Sequence, residues 1–113
     1  MKILCMILML PFICLGASVD RTHSAPDGNI CGLAWGEGRL WCLDESSSWV
    51  YGLDPLTGDV DVSFKFTGYS SYAPAGLTYY DGKLFGSFIN GSSSTYVYWY
   101  STSGSYGGYD IFC

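Results

Sequence analysis

The side chains able to do chemistry are few and far apart. His23 is the single histidine in 113 residues. It stands in a connector with no carboxylate or nucleophile spaced to orient it, so it reads as a solvated residue rather than a zinc ligand or a member of a Ser-His-Asp arrangement. Asp44 and Glu45 are adjacent, and on an extended chain neighbouring side chains point apart, which is poor geometry for a paired-carboxylate mechanism. Asp54, Asp59 and Asp61 offer oxygens around one turn but lack the regular spacing of a calcium loop; turn formation and solvation explain them. Asn90-Gly91-Ser92 is formally a glycosylation acceptor, relevant only where the host glycosylates. No catalytic, metal-ligating or cofactor-binding residue follows from these patterns, and no cofactor is expected.

Two further groups need weighing. Cys31, Cys42 and Cys113 lie beyond the N-terminal apolar run. In an oxidising compartment they give one disulfide and one free thiol by the simplest arithmetic. A hairpin turning at Gly36 to Gly38 puts Cys31 and Cys42 on neighbouring strands and one face, diagonal to each other. A bridge there needs some backbone adjustment, and the alternative is two small buried apolar residues. The tyrosine-rich stretch places Tyr79, Tyr80, Tyr98, Trp99 and Tyr100 as a candidate aromatic face for a carbohydrate or peptide ligand, although an inter-sheet core needs the same residue types.

These residues must be positioned by strands, and the strands repeat. Gly32-Leu33-Ala34-Trp35-Gly36-Glu37-Gly38-Arg39-Leu40-Trp41 returns as Gly76-Leu77-Thr78-Tyr79-Tyr80-Asp81-Gly82-Lys83-Leu84-Phe85, offset by 44 residues. A period of that size, with four short strand patterns per copy, predicts β-propeller blades. In the first copy the patterns are Gly32 to Trp35, Arg39 to Leu43, Trp49 to Leu53 and Asp59 to Phe66. The second of these is apolar without interruption from Leu40 to Leu43, which fits burial on both faces. The fourth alternates strictly, which fits one face in water. Asp54-Pro55-Leu56-Thr57-Gly58 is a turn in which Asp54 accepts from amides ahead of it, Pro55 presets φ and Gly58 takes the strained position. The second copy reads Gly76 to Tyr80, Lys83 to Ile89, Tyr96 to Tyr100 and Ser105 to Cys113. Gly107-Gly108 breaks the alternation of its last strand, which predicts a bulge or a poorly formed edge.

Lys2, the apolar run Ile3 to Leu15 and the small residues Gly16, Ala17 and Ser18 follow the order of a secretory signal peptide. The run is short of the roughly 20 residues of a membrane span and is interrupted by Pro11. The expected organisation is a signal peptide over 1–18, a linker over 19–29, a first blade over 30–66, a connector over 67–75 and a second blade over 76–113. The fold class is all-β: two tandem four-stranded antiparallel propeller blades in a secreted or periplasmic protein. The formal net charge is −5. Past the signal region the cations are only Arg21, Arg39, Lys65 and Lys83, scattered along the chain, which argues against nucleic acid and anionic membranes as partners.

The Gly-Leu-Ala-Trp-x-x-Gly-Arg-Leu-Trp stretch, followed by Val50-Tyr51-x-Leu53-Asp54-Pro55-x-Thr57-Gly58, resembles the repeats of secreted bacterial β-propellers. These are the NHL-like, quinoprotein-like and YVTN-type repeats and the glutaminyl cyclotransferase-like propellers. The resemblance spans residues 30–113 and implies a fold more than an activity, because its residues encode turns and packing. A lactonase-like metal site would need a carboxylate where Cys31 stands, so no catalytic position carries over. A closed propeller takes roughly 4 to 8 blades. Two therefore imply a binding or scaffold module completed by missing blades or by self-association; the alternative is a partial chain of a glutaminyl cyclotransferase-like or lactonase-like enzyme.

Overall fold

The computed structural model describes residues 21–67, 72–91 and 94–112; the signal peptide expected over 1–18 and Cys113 lie outside them. Eight strands form two antiparallel sheets, each in simple up-and-down order. The first sheet comprises β1 (Ile30–Gly36), β2 (Arg39–Asp44), β3 (Trp49–Leu53) and β4 (Val60–Lys65). The second comprises β5 (Ala73–Tyr80), β6 (Lys83–Asn90), β7 (Ser94–Ser101) and β8 (Tyr106–Phe112). β5 begins at Ala73 rather than Gly76, because the connector enters the sheet early through a bulge.

The repeat extends to its irregularities. A bulge between Ile30 and Gly32 recurs between Pro74 and Gly76, and one between Gly52 and Leu53 recurs between Trp99 and Tyr100. The first hairpin of each sheet turns through two residues of positive φ, Glu37-Gly38 and Asp81-Gly82, the twist that two-residue hairpins favour. In the β3–β4 turn the Leu56 amide donates to Asp54 Oδ1 at 2.8 Å, and Gly58 takes φ 81°. The exposed–buried gradient follows the expected pattern. Trp41 to Asp44 are all buried on β2, whereas Asp61, Ser63 and Lys65 on β4 face water.

The sheets pack face to back. Strand pairing puts Gly32, Ala34, Gly36, Trp41, Leu43, Val50 and Phe64 on one face of the first sheet. On the second sheet the contacting face carries Leu77, Tyr79, Leu84, Gly86, Phe88, Tyr98 and Tyr100. By the repeat these correspond to Leu33, Trp35, Leu40, Cys42, Asp44, Tyr51 and Leu53, which lie on the opposite face of the first sheet. Each blade therefore has a front and a back, and the front of the first meets the back of the second.

Close approach at this junction requires missing side chains. The Tyr79 ring occupies the space a Cβ of Gly36 would fill, and the Phe66 ring does the same at Gly86. Phe66 is the plug of the junction: it is 2% exposed, stacks on Tyr100 with ring centroids 4.6 Å apart and touches Phe88 at 5.8 Å. Burying one such ring is worth roughly 1.5–3 kcal/mol.

Candidate functional site

Chemistry-bearing groups gather at one end of the first blade, where β2 runs into the β2–β3 loop. The Asp44 carboxylate is fully buried. The amides of Asn29, Ser46 and Ser47 donate to it, each at 2.9 Å, and the Ser46 and Ser47 hydroxyls reach it at 2.8 and 3.0 Å. Burial pushes the carboxyl pKa up, but these donors favour the ionised form more strongly and bring it down to about 2. Loop geometry provides the donors: an acid followed by serines at the second and third positions folds its own amides back onto its oxygens.

A second acid ties the N-terminal segment to the same loop. Asp27 accepts from the Tyr51 hydroxyl at 2.7 Å, from the Gly28 amide at 2.8 Å and from the Ser47 hydroxyl at 3.2 Å. The Tyr51 bond, then the Gly28 bond, holds its pKa below the usual carboxylate value. Tyr51 is pushed up to about 12, first by burial and then by the Asp27 carboxylate. His23 donates Nε2–H to the Pro55 carbonyl at 3.0 Å, and its ring lies against Gly58. The expected solvated linker residue is thus docked, though still exposed. Residues 23–29 form a strap across the back of the first blade, held at both ends.

These groups are occupied in holding the fold. Donors that hold the Asp44 pKa at about 2, and that of Asp27 below the usual carboxylate value, make both groups weak bases. Among the described residues no three His, Cys, Asp or Glu side chains converge as a metal-binding group. Asp54 and Asp61 serve locally, Asp54 in its turn and Asp61 3.4 Å from the Arg39 guanidinium.

The strap leaves an apolar cleft of about 180 Å³ on the back of the first blade, lined chiefly by Pro26, Ile30, Leu33, Leu40, Cys42 and Leu53. Leu33, at its rim, and Trp35, beyond it, are 61% and 60% exposed. The front of the second blade is also open. Tyr80, Ile89 and Phe112 are 71%, 50% and 60% exposed, beside Phe85 and Trp99, whose rings lie 6.0 Å apart.

Strand alternation divides the predicted aromatic set. Tyr79, Tyr98 and Tyr100 face the first blade, with Tyr98 and Tyr100 each 3% exposed, while Tyr80 and Trp99 share the open front. The Trp99 indole lies over Gly107 and Gly108, where any side chain would collide with it. That contact is the reason for the glycine pair that interrupts β8.

The cysteines are also separated. Cys31 and Cys42 are both free thiols, which corrects the bridge that their spacing allows. Cys31 is the extra residue of the β1 bulge, and an extra residue turns a side chain to the other face. It packs on the junction core and points its thiol at the Pro74 carbonyl, 3.5 Å away. Cys42 faces the cleft. Burial raises both thiol pKa values, the nearby Glu45 adding to the effect at Cys31. The Asp44 anchor and the Asp27–Tyr51 tie are not among the residues that the sequence patterns assign a role of this kind. For Asp44 the signal was present in the run Asp44-Glu45-Ser46-Ser47-Ser48; for Asp27 the partner is 24 residues away and no local pattern marks it.

Comparison of the chain with protein-family models, curated proteins and solved structures finds no match.

Proposed function

We propose that this chain is a secreted or periplasmic binding or scaffold module of β-propeller type, one portion of a larger ring whose remaining blades cover its two open faces. One observation carries the reading: the back of the first blade and the front of the second expose large apolar side chains, Leu33 and Trp35 on the back and Tyr80, Ile89 and Phe112 on the front. Apolar surface of this kind marks an interaction site. The committed hydrogen bonding of Asp27 and Asp44 supports a binding role over a catalytic one. The order of charge, apolar run and small residues at the N-terminus supports export. The repeat pattern and its resemblance to propeller proteins support the ring.

The test is the mass of the exported protein, purified from its host and measured by light scattering. A species heavier than one chain, alone or with a second component, is expected. A folded single-chain species with a sharp unfolding transition would overturn the proposal.

A further inference from the structure

The internal junction is a template for what covers the open faces. Its knob is Phe66 and its socket is the surface around Gly86, Phe88 and Tyr100. Register identifies the counterparts. Tyr51 pairs with Ser63 as Tyr98 pairs with Tyr109, so Phe112 is to β8 what Phe66 is to the end of β4. Pairing of Val97 with Asp110 and of Thr95 with Phe112 puts Phe112 on the open front of the second blade. Phe66 is 2% exposed and Phe112 60%. The counterparts of Gly86 and Tyr100 are Cys42 and Leu53, and both line the cleft on the back of the first blade.

We propose that a second copy of this chain docks head to tail on the first, the front of its second blade on the back of this first blade, with its Phe112 seated in the cleft beside Cys42 and Leu53. This rests on the reading of the open faces as binding faces, and it names their occupant. Size agrees: a cavity of roughly 150 Å³ lined by aliphatic residues takes a benzene ring, and this cleft is about 180 Å³. Leu53 in place of Tyr100 returns the room that Cys42 takes in place of Gly86. Leu33, the counterpart of Leu77, meets Gly76, whose front side is bare but for Ser87. Trp35, the counterpart of Tyr79, meets Tyr80 and makes a ring-on-ring contact in place of ring on glycine.

The strap, whose His23 to Pro26 form one wall of the cleft, frames this docking. It precedes β1 as the Phe66–Thr67 connector precedes β5, and Thr67 sits within the internal junction, its amide bonded to the Tyr100 hydroxyl at 2.8 Å. Because front and back are different surfaces, the contact is heterologous; copies add in one direction until the rotation closes a ring.

Three preparations of the exported chain test the inference by light scattering across concentration: wild type, Phe112→Asp and Leu33→Asp. Both substitutions fall on exposed residues, and far-ultraviolet circular dichroism checks folding, with Trp35→Lys as the second back-face variant if Leu33→Asp fails. Wild type is expected to at least double its one-chain mass with concentration, and each variant to remain at one-chain mass. Mixing the two variants leaves one intact front and one intact back, so the mixture is expected to stop at twice the one-chain mass. Pairing back to back would leave Phe112→Asp as heavy as wild type and would overturn the proposal. So would a mixture that stays at one-chain mass. If purified wild type is a monomer while host material is heavier through a second component, self-docking fails and the scaffold reading stands. If both are folded monomers, both fail.

Discussion

The first and second blades share a backbone plan and solve the same problem with opposite chemistries. Asp44 and Phe88 occupy equivalent positions at the ends of β2 and β6, and both are buried, at 0% and 1% exposure. In the first blade the position gathers backbone amides and serine hydroxyls onto a charge. In the second it anchors an aromatic cluster, with Phe88 edge-on to Tyr98 at 5.3 Å and Tyr98 against Tyr109 at 5.3 Å. The difference follows from what covers each back face. Phe88 meets the ring of Phe66 from a neighbouring blade, whereas Asp44 meets a polar strap of the chain itself. A position in a repeat is therefore defined by its neighbour as much as by its own strand.

The largest effect is expected where the two blades meet. Phe66→Ala removes the plug from a site that cannot collapse, because Gly86 and Tyr100 are fixed by their strands. Substitutions of this kind cost about 3–5 kcal/mol, a large part of the stability of any small domain. Denaturant melts should show the loss as a lower midpoint. An unchanged midpoint would mean that the blades are held separately and that the junction is no template for anything.

Asp44→Ala comes next. It leaves the Asn29, Ser46 and Ser47 amides without their acceptor, and a loss of about 3 kcal/mol is expected from buried donors left unpaired. The wild type carries a pH signature of the same anchor. Because the folded pKa lies below the ordinary carboxylate value, the stabilisation is complete above about pH 3.8 and is lost as the pH falls through about 2. The depth of that loss is about 2 kcal/mol, and in Asp44→Ala this contribution should be missing from the acid limb. An acid limb as steep in the variant as in the wild type would place the charge dependence elsewhere. Phe88→Leu, the matching change in the second blade, should leave the acid limb as it is in the wild type.

How much of this was legible in the chain depends on the range of the interaction. Strand boundaries, the Glu37-Gly38 and Asp81-Gly82 turns and the exposed face of β4 follow from period and turn chemistry over a few residues. Period two also divides Tyr79 from Tyr80, and Tyr98 and Tyr100 from Trp99. The bulge at Cys31 was not legible, since one inserted residue leaves the composition of the strand unchanged while reversing a side chain. Nor was the docking of the strap, because the contacts of His23 with Pro55 and of Asp27 with Tyr51 join residues far apart in sequence.

That strap offers a smaller test. Tyr51→Phe removes the bond to Asp27 and keeps the ring, so about 1 kcal/mol should be lost. The structural consequence is local: residues 23–29 should become more open to proteolysis, while hydrogen exchange in the second blade stays unchanged. In the wild type the elevated Tyr51 pKa favours the neutral phenol. Its contribution is present below pH 10 and is lost as the pH rises through about 12. An ultraviolet titration should contain a late-ionising step from Tyr51, and that step should be missing in Tyr51→Phe. If all tyrosines of the variant and the wild type titrate alike, the tie does not exist in solution.

The smallest effect separates the internal junction from the external one. Glu37, at the turn of the first hairpin, accepts from the Tyr79 hydroxyl at 3.1 Å and the Thr102 hydroxyl at 2.9 Å, joining the two blades at an exposed rim. Such solvent-exposed contacts are worth little, so Glu37→Gln should lower stability by only about 0.5 kcal/mol. Asp81 holds the same place in the second hairpin, with nearly the same φ, 49° against 55°, but its side of the blade is open. Head-to-tail docking brings the counterpart of Tyr79, the Trp35 of another copy, toward Asp81, where the indole N–H can donate to the carboxylate. Asp81→Asn should therefore leave the unfolding midpoint of the single chain unchanged and weaken self-association a few-fold. Glu37→Gln should do the reverse. Two acids of one repeat would then report on different interfaces, and variants that behaved alike in both measurements would dissolve the correspondence between the covered junction and the open one.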